Sequence, residues 1–525
     1  MKINLSTFDI VILLLYFCIV LSFGLYVSRQ TKTSDDLFLA GRKLSWAPIG
    51  LSLFASNISS TTLIGLMGAA YAGGLYVSNY EWMATIILII FAFIYVPIFF
   101  RSRIKTIPEF LEKRFGSNSR KYTSALTIIM SVAVDTSGSL YAGAIVLKVC
   151  FPALALWPTC AGLAIITGLY TAAGGLTAVV YTDVIQSSVL LLGSTLLTYF
   201  ILSHPGINFH WAAITTQLDP GLFSIVNPAH HPLSDDNLPW LGTLTGVPIL
   251  GFYYWITNQY IAQRVLGAKS LDDARWGVLF GGLLKLTVLF IMVLPGVLAR
   301  IIYPNIHNID TVFPKMITTL LPIGVTGIVM AALIAAIMSS IDSTLNSAAT
   351  LITLDFITAR MPNISEKNII QIGRVVMILI MLLAAIWAPH ISHFRGLFSY
   401  LQQMFAYLVP PVVVLFIFGL LTIKGTDVSA MFTLAGGHFI SITFFILQKI
   451  NILPKIHFTL VSAIIFLISS ILYLATVNLG KQNPESIIKQ LTRQPAPPPQ
   501  PGWKNYKMQS MLLLTLTTVL IIFFW

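Results

Sequence analysis

Glu81 opens an apolar stretch in NYEWMA, and Lys285 lies inside another, LFGGLLKLTVLFIMVLPG. A charged group in such a run has no water to solvate it, so it needs a partner or a function. Two readings stand: the pair neutralises itself, or both groups face one cavity, where the carboxylate accepts and the ammonium donates to hydroxyls of a solute. A second concentration of polarity is FASNISSTT, in which Ser56, Asn57, Ser59, Ser60, Thr61 and Thr62 are interrupted only by Ile58. Such hydroxyls either bond back within a closely packed helix or, as their clustering at mid-run favours, mark a broken helix with exposed carbonyls. In MAALIAAIMSSIDSTLNSAATLITLDF, residues Ser339, Asp342, Ser343 and Asn346 recur at helical spacing and form one polar stripe. Asp183 follows the Gly174-Gly175 turn. Hydroxyls, carboxylates and freed carbonyls are the oxygen ligands that hard cations take. Asp355 lies near the end of its run, and both it and Asp135 read as capping or interfacial charges. Nine histidines show no H-x-x-x-H or H-E-x-x-H pattern, and Cys18, Cys150 and Cys160 have no CxxC spacing, so a metal or redox enzyme is not indicated.

These groups must be carried by membrane helices. The 525 residues are 56% hydrophobic and 10% charged, with mean hydropathy +0.84, whereas a soluble domain carries about 25% charged residues. With about 20 apolar residues per span, fourteen runs qualify: 8–28, 46–74, 79–100, 122–147, 152–173, 177–203, 239–262, 274–303, 313–356, 368–388, 396–422, 428–448, 454–478 and 508–525. The run 313–356 is too long for one simple span and is expected to bend or to extend into an aqueous cavity. The first run lacks a small-residue cleavage site and reads as a retained helix rather than a signal peptide. The expected fold class is therefore an all-α polytopic membrane protein of about 14 transmembrane helices, with no extramembrane domain large enough to be an enzyme.

Net charge +12 does not point to nucleic acid, because the basic residues are spread through the gaps between runs. One alternate set of gaps, 29–43, 101–121, 264–275, 360–374, 424 and 481–507, holds 23 of the 31 Lys and Arg residues, the other set holds seven, and Lys285 lies within a run. This bias puts the first set in the cytoplasm and both termini outside. The gap 204–240 agrees, having no Lys or Arg but Asp219, Asp235 and Asp236. QPAPPPQPG at 494–502 is a Pro-rich linker before a last, appended run. A second interrupted segment, GFYYWITNQY at 251–260, comes five runs after the first. Two discontinuous spans offset by five are what a 5+5 inverted repeat gives, each half supplying one broken helix to a midplane site.

Several motifs together resemble the sodium:solute symporter family, in its sodium/sugar branch: FLAGRKLSWAPIGLSLFASNIS, YEWM, TIPEFLEKRF, YTAAGGLTAVVYTDVIQ, YYWITNQYIAQRVLGAKS, LLKL…VLPG, SSIDSTLNSAAT and SYLQQMFAYLVPP. They occur in family order over nearly the whole chain. The resemblance implies a LeuT-type fold: an extra helix and loop at 1–45, a first inverted repeat at 46–203, an outer loop at 204–238, a second repeat at 239–422, and extra helices at 423–525 with a cytoplasmic linker at 479–507. It implies Na+ as the coupling ion, held by the carbonyls of Ala55, Ile58 and Ala336 and the hydroxyls of Ser339 and Ser340. It implies Glu81, Lys285 and Gln402 as partners of solute hydroxyls, Tyr254 as an aromatic plate on the ring, and Asn57 as a tie between the broken helix and the solute.

Where galactose-transporting members have a glutamine, a serine and an asparagine against the sugar, this chain has Thr62, Ala84 and Gly251, so the class of solute, a neutral sugar or polyol such as a hexose or myo-inositol, is read more firmly than its identity. Asp342, one turn from Ser339 where galactose-transporting members have a small uncharged residue, stands with Asp183 and Ser343 as a possible second sodium site. The expected activity is sodium-driven symport in the plasma membrane, with the lipid bilayer as surroundings and a monomer sufficient, a dimer being possible. The alternatives are symport of a carboxylated solute such as sialic acid, and a sugar-gated sensor or channel on the same fold.

Overall fold

The computed structural model describes residues 6–525 apart from 30, 61, 151–152, 227–237, 362, 394–396, 455, 483, 486–487, 489–490 and 492–497. The described residues are helical throughout and contain no strand, only a single bridge between Leu44 and Ala268. Ten helices are long and apolar enough to cross a membrane, or up to twelve when two bent pairs are each taken as one span. The expected count of fourteen is not established, because two runs fold as shorter pieces. Run 152–173 gives the apolar helix Leu156–Gly168, and run 239–262 gives Trp240–Phe252, a π turn Tyr253–Thr257, and Gln259–Leu266.

The breaks fall where the sequence concentrates polarity. Trp46–Asn57 and Thr62–Gly73 are bent 60° from one another, and Ile58 between them leaves the helical region at φ −81°, ψ 77°. The second interruption centres on Asn258, extended at φ −71°, ψ 125°, whose side chain accepts the amide of Tyr260 and so restarts the chain as Gln259–Leu266. Asn at an N-cap satisfies an amide that a helix start leaves unpaired.

The long polar run 313–356 does not form one bent span. It divides into a short helix, Val312–Leu320, and the long helix Val325–Arg360, separated by Pro322 and by Gly324 at φ +86°. The start of the long helix is capped from a distance: Asp9 of the first helix, Thr7–Ser28, accepts the amides of Gly324 and Gly327, both at 2.8 Å. A carboxylate at a helix start also meets the positive end of the helix dipole. Nearly all of the apolar stretch of the long helix is buried, and it forms the centre of the molecule, whereas Thr7–Ser28 is mostly exposed and lies at the periphery. A further kink, at Gly175 with φ +59° and ψ −157°, interrupts the helix Leu156–Leu202. A Cβ there would stand 2.4 Å from the carbonyl oxygen of Leu37.

The six basic gaps meet at one end of the helices. Arg42 donates to the carbonyls of Arg103 and Ile104 at 3.2 Å, Leu44 bridges to Ala268, and the Ser34 amide donates to Glu366 at 2.7 Å. Arg114 donates to the carbonyls of Thr422 and Lys424 at 2.8 Å, and Gln500 donates to Asp272 at 2.7 Å. Asp355, at the same end of the long helix, accepts from Arg120 at 2.6 Å and from Thr106 at 2.9 Å. Asp355 is thus a buried ion-pair partner, not the capping or interfacial charge expected. The histidine pair His230-His231 and the acidic pair Asp235-Asp236 lie outside the described residues, as does much of the Pro-rich linker.

Candidate functional site

The two broken segments, the Glu81 helix Leu75–Ser102 and the Lys285 helix Leu271–Ile302 surround one cavity. Glu81, Lys285, Gln402, Tyr254, Asn57 and Thr62 all line it. Lys285 forms an ion pair with Glu81 and donates to the Asn57 side-chain oxygen, and its ammonium stands 5.7 Å from the centre of the Trp255 ring. Both members of the pair are almost fully removed from the surface, at 1% and 10% side-chain exposure. The two readings of this pair therefore merge: the charges neutralise each other, and they do so on the wall of a polar cavity.

Asn57 is the last residue before the break. Its carbonyl accepts the Ser59 amide at 2.9 Å and the Thr62 hydroxyl at 3.0 Å, so the local turn is held by side chains where the helix ladder stops. The π turn Tyr253–Thr257 brings Tyr254 onto the cavity wall. The Tyr254 ring is held edge-on by Trp255 at 5.2 Å and Tyr260 at 5.8 Å, an arrangement that fixes an aromatic plane.

Four of the five residues expected to hold sodium, Ala55, Ala336, Ser339 and Ser340, are joined by hydrogen bonds. Ser339 donates to the carbonyl of Ala55 at 3.0 Å and to that of Ala336 at 3.2 Å, and Ser340 donates to Ala336 at 2.8 Å. The amides of Ile58 and Ser59 point to Phe54 and Asn57, so the Ala55 carbonyl is met across the helix interface by a hydroxyl. This is an oxygen set without nitrogen or sulfur, which suits a hard monovalent cation. Ser340 lines the solute cavity as well, so the two clusters share a wall.

Asp183, Asp342 and Ser343 are close to one another, but a side-chain cation already stands among them. Arg264, counted above with the basic residues of the loops, is fully buried. Its guanidinium reaches Asp183 at 3.2 Å, donates to Ser52 at 2.5 Å, and donates to Ser56, Ser343 and the carbonyl of Tyr260. Ser52 in turn donates to Asp183 at 2.6 Å, and Ser343 donates to Asp342 at 3.2 Å. The arginine was legible only as the basic residue nearest the second break, in QYIAQRVLG. The reading of Asp135 is corrected as well: its side chain lines the solute cavity beside Ser139 and Gln402 rather than capping a helix.

Comparison with known proteins decides the family. Residues 37–437 match the sodium:solute symporter family. The chain belongs to that family. It is 36% identical over 480 residues to the human protein named sodium/myo-inositol cotransporter 2, covering 85% of this chain and 71% of that one. It is 36% identical over 454 residues to the sodium/glucose cotransporter of Vibrio parahaemolyticus, covering 82% and 83%. Among solved structures, a Na+-coupled sialic acid symporter in a substrate-bound outward-open state superposes with a TM-score of 0.79 at 22% identity, over 91% of this chain and 99% of the other. The nucleobase-cation-symport-1 transporter Mhp1 in a closed conformation gives 0.52 at 15% identity, over 87% and 98%. These likenesses give the chain the LeuT-type fold that the family resemblance implied.

Proposed function

We propose that this family member is a sodium-driven symporter of a neutral sugar or polyol, working by alternating access. The observation that carries the reading is the shared wall between the two clusters. Ser340 belongs to the oxygen set and to the cavity, and Asn57, one residue before Ile58, holds Lys285 beside Glu81. A sodium ion bound between Ala55 and Ala336 pins the broken helix against the long helix and thereby fixes Asn57, Lys285 and Glu81 in the geometry that meets solute hydroxyls. Coupling is then the difference in affinity for the two ligands between the two states. The curated relatives named for sodium with myo-inositol or glucose support this class at 32–38% identity. The sialic acid transporter supports the fold alone. Retention of both Ser339 and Ser340 favours a coupled carrier over a sugar-gated sensor.

The finer parts of the reading are proposed with it: repeats at 46–203 and 239–422, a plasma-membrane location, basic gaps in the cytoplasm and both termini outside, and a sufficient monomer. We propose one sodium per solute while Arg264 sits on Asp183, with Asp183, Asp342 and Ser343 forming a second sodium site only where the guanidinium is removed. The deciding experiment is uptake of radiolabelled glucose and myo-inositol into proteoliposomes with an inward sodium gradient. Uptake is expected with sodium and not with choline; equal uptake in both media would sink the proposal.

A further inference from the structure

Three charged side chains line the solute cavity, and they do not balance. Lys285 is committed to Glu81 and Asn57. The Asp135 carboxylate, carried on the π turn Ser131–Thr136, has neither an ion pair nor a hydrogen bond among the described residues. Its charged and titratable surroundings are the phenols of Tyr253, Tyr254, Tyr260 and Tyr400, none of which carries positive charge. The carboxylate is half-buried on the cavity wall with no positive charge to compensate it, and a ligand that brings a cation to it forms a charge-assisted hydrogen bond of about twice the strength of a neutral one.

We infer that the cavity accepts amino-substituted sugars or polyols in their ammonium form, with Asp135 as the residue that receives the ammonium, in preference to neutral analogues of the same shape. The inference rests on the proposed symport function and narrows its substrate class. The ring hydroxyls of such a solute meet Glu81, Lys285 and Gln402 as those of a neutral sugar do, while the amine faces Asp135 on the wall of the same cavity. A carboxylated solute meets the reverse situation. Two carboxylates face it, and the one ammonium is already engaged, so it is the solute class this cavity rejects.

The test is competition. Sodium-dependent uptake of a radiolabelled neutral solute into proteoliposomes is inhibited by glucosamine, N-acetylglucosamine and glucose, and by an amino-substituted inositol beside myo-inositol, at a pH that keeps the amines protonated. In the wild type at least one amine is expected to inhibit at about tenfold lower concentration than its neutral counterpart. In Asp135→Asn that ratio falls to about one, whatever the absolute rate, and in Asp135→Glu a preference for the amine remains. The wild-type ratios stand by themselves if the asparagine variant does not fold. Equal inhibition by amines and neutral analogues in the wild type overturns the inference, as does an amine preference that survives in Asp135→Asn. Weakened sodium affinity with an unchanged ratio would overturn it too, assigning Asp135 to the proposed sodium site on the long helix, which the Asp135 segment meets through the 2.7 Å hydrogen bond between Thr136 and Thr344. Failure of these ratios leaves sodium-driven uptake of the neutral solute intact; absence of that uptake overturns the functional reading and the inference with it.

Discussion

The Arg264 guanidinium and the Asp183 carboxylate meet at 3.2 Å with side-chain exposures of 1% and 0%, in the cluster that also contains Ser343 and Asp342. An ion pair so placed is a fixed counter-charge where a free cation could otherwise bind. Breaking a buried pair by removing one member costs about 3–5 kcal/mol, because the remaining charge is left uncompensated. Arg264→Gln is therefore expected to make the protein dependent on sodium for stability, with a larger sodium-induced rise in melting temperature than the wild type. Reversal potentials in proteoliposomes are expected to give a coupling of one in the wild type and two in Arg264→Gln. The difference is large: each sodium entering down about 100 mV and a tenfold gradient releases about 3.7 kcal/mol, enough for several-hundred-fold accumulation. A wild-type coupling of two would show instead that the guanidinium leaves during the cycle.

Ser340→Ala removes one hydroxyl from the oxygen set while leaving the carbonyls of Ala55 and Ala336 in place. A lost ligand of this kind costs about 1–2 kcal/mol, so the sodium concentration for half-maximal uptake is expected to rise about tenfold. Solute affinity at saturating sodium is expected to change far less. Uptake measured against sodium concentration and against solute concentration separates the two.

Removing Glu81 leaves Lys285 as an unpaired buried ammonium, and removing Lys285 leaves the reverse. Each alanine variant is expected to lose solute uptake and about 3–5 kcal/mol of stability. The double variant, with both charges gone, is expected to recover stability and not uptake, because the hydroxyl partners are gone as well. Gln402→Ala is expected to lose solute binding while remaining folded. A double variant that transports would reduce Glu81 and Lys285 to a structural pair.

Tyr254→Phe is expected to be mild and Tyr254→Ala severe in the KM for solute. The ring held by Trp255 and Tyr260 supplies the stacking plane, and the phenylalanine keeps it. A phenylalanine variant as damaged as the alanine one would give the hydroxyl the larger part.

Asp9→Ala deprives the amides of Gly324 and Gly327 of their acceptor at the start of the long helix. The cost is expected to be about 1–3 kcal/mol, seen as a lower melting temperature in detergent with little change in sodium affinity.

The sequence alone determines that the chain is a bundle of membrane helices, since it is 56% hydrophobic and 10% charged and its apolar residues come in continuous runs of about 20, the length a helix needs to cross lipid with its backbone satisfied internally. It also locates the two breaks, because FASNISSTT and GFYYWITNQY concentrate polar groups that a continuous lipid-facing helix cannot hold. Glu81 and Lys285 were legible for the same reason, each being a single charge in an apolar run. What the sequence could not decide is which polar groups meet. Arg264 looks like one more basic residue beside a loop until the turn at Asn258 directs its helix inward onto Asp183, 81 positions earlier. Asp135 reads as a capping or interfacial charge until the packing of seven separate stretches of chain makes its surroundings a cavity. Asp9 caps a helix that begins more than 300 residues later. Spacing along a helix reports which residues share a face, but the partner opposite that face is set by long-range packing, and in this chain that packing decides which charges are compensated and which one is left for a ligand.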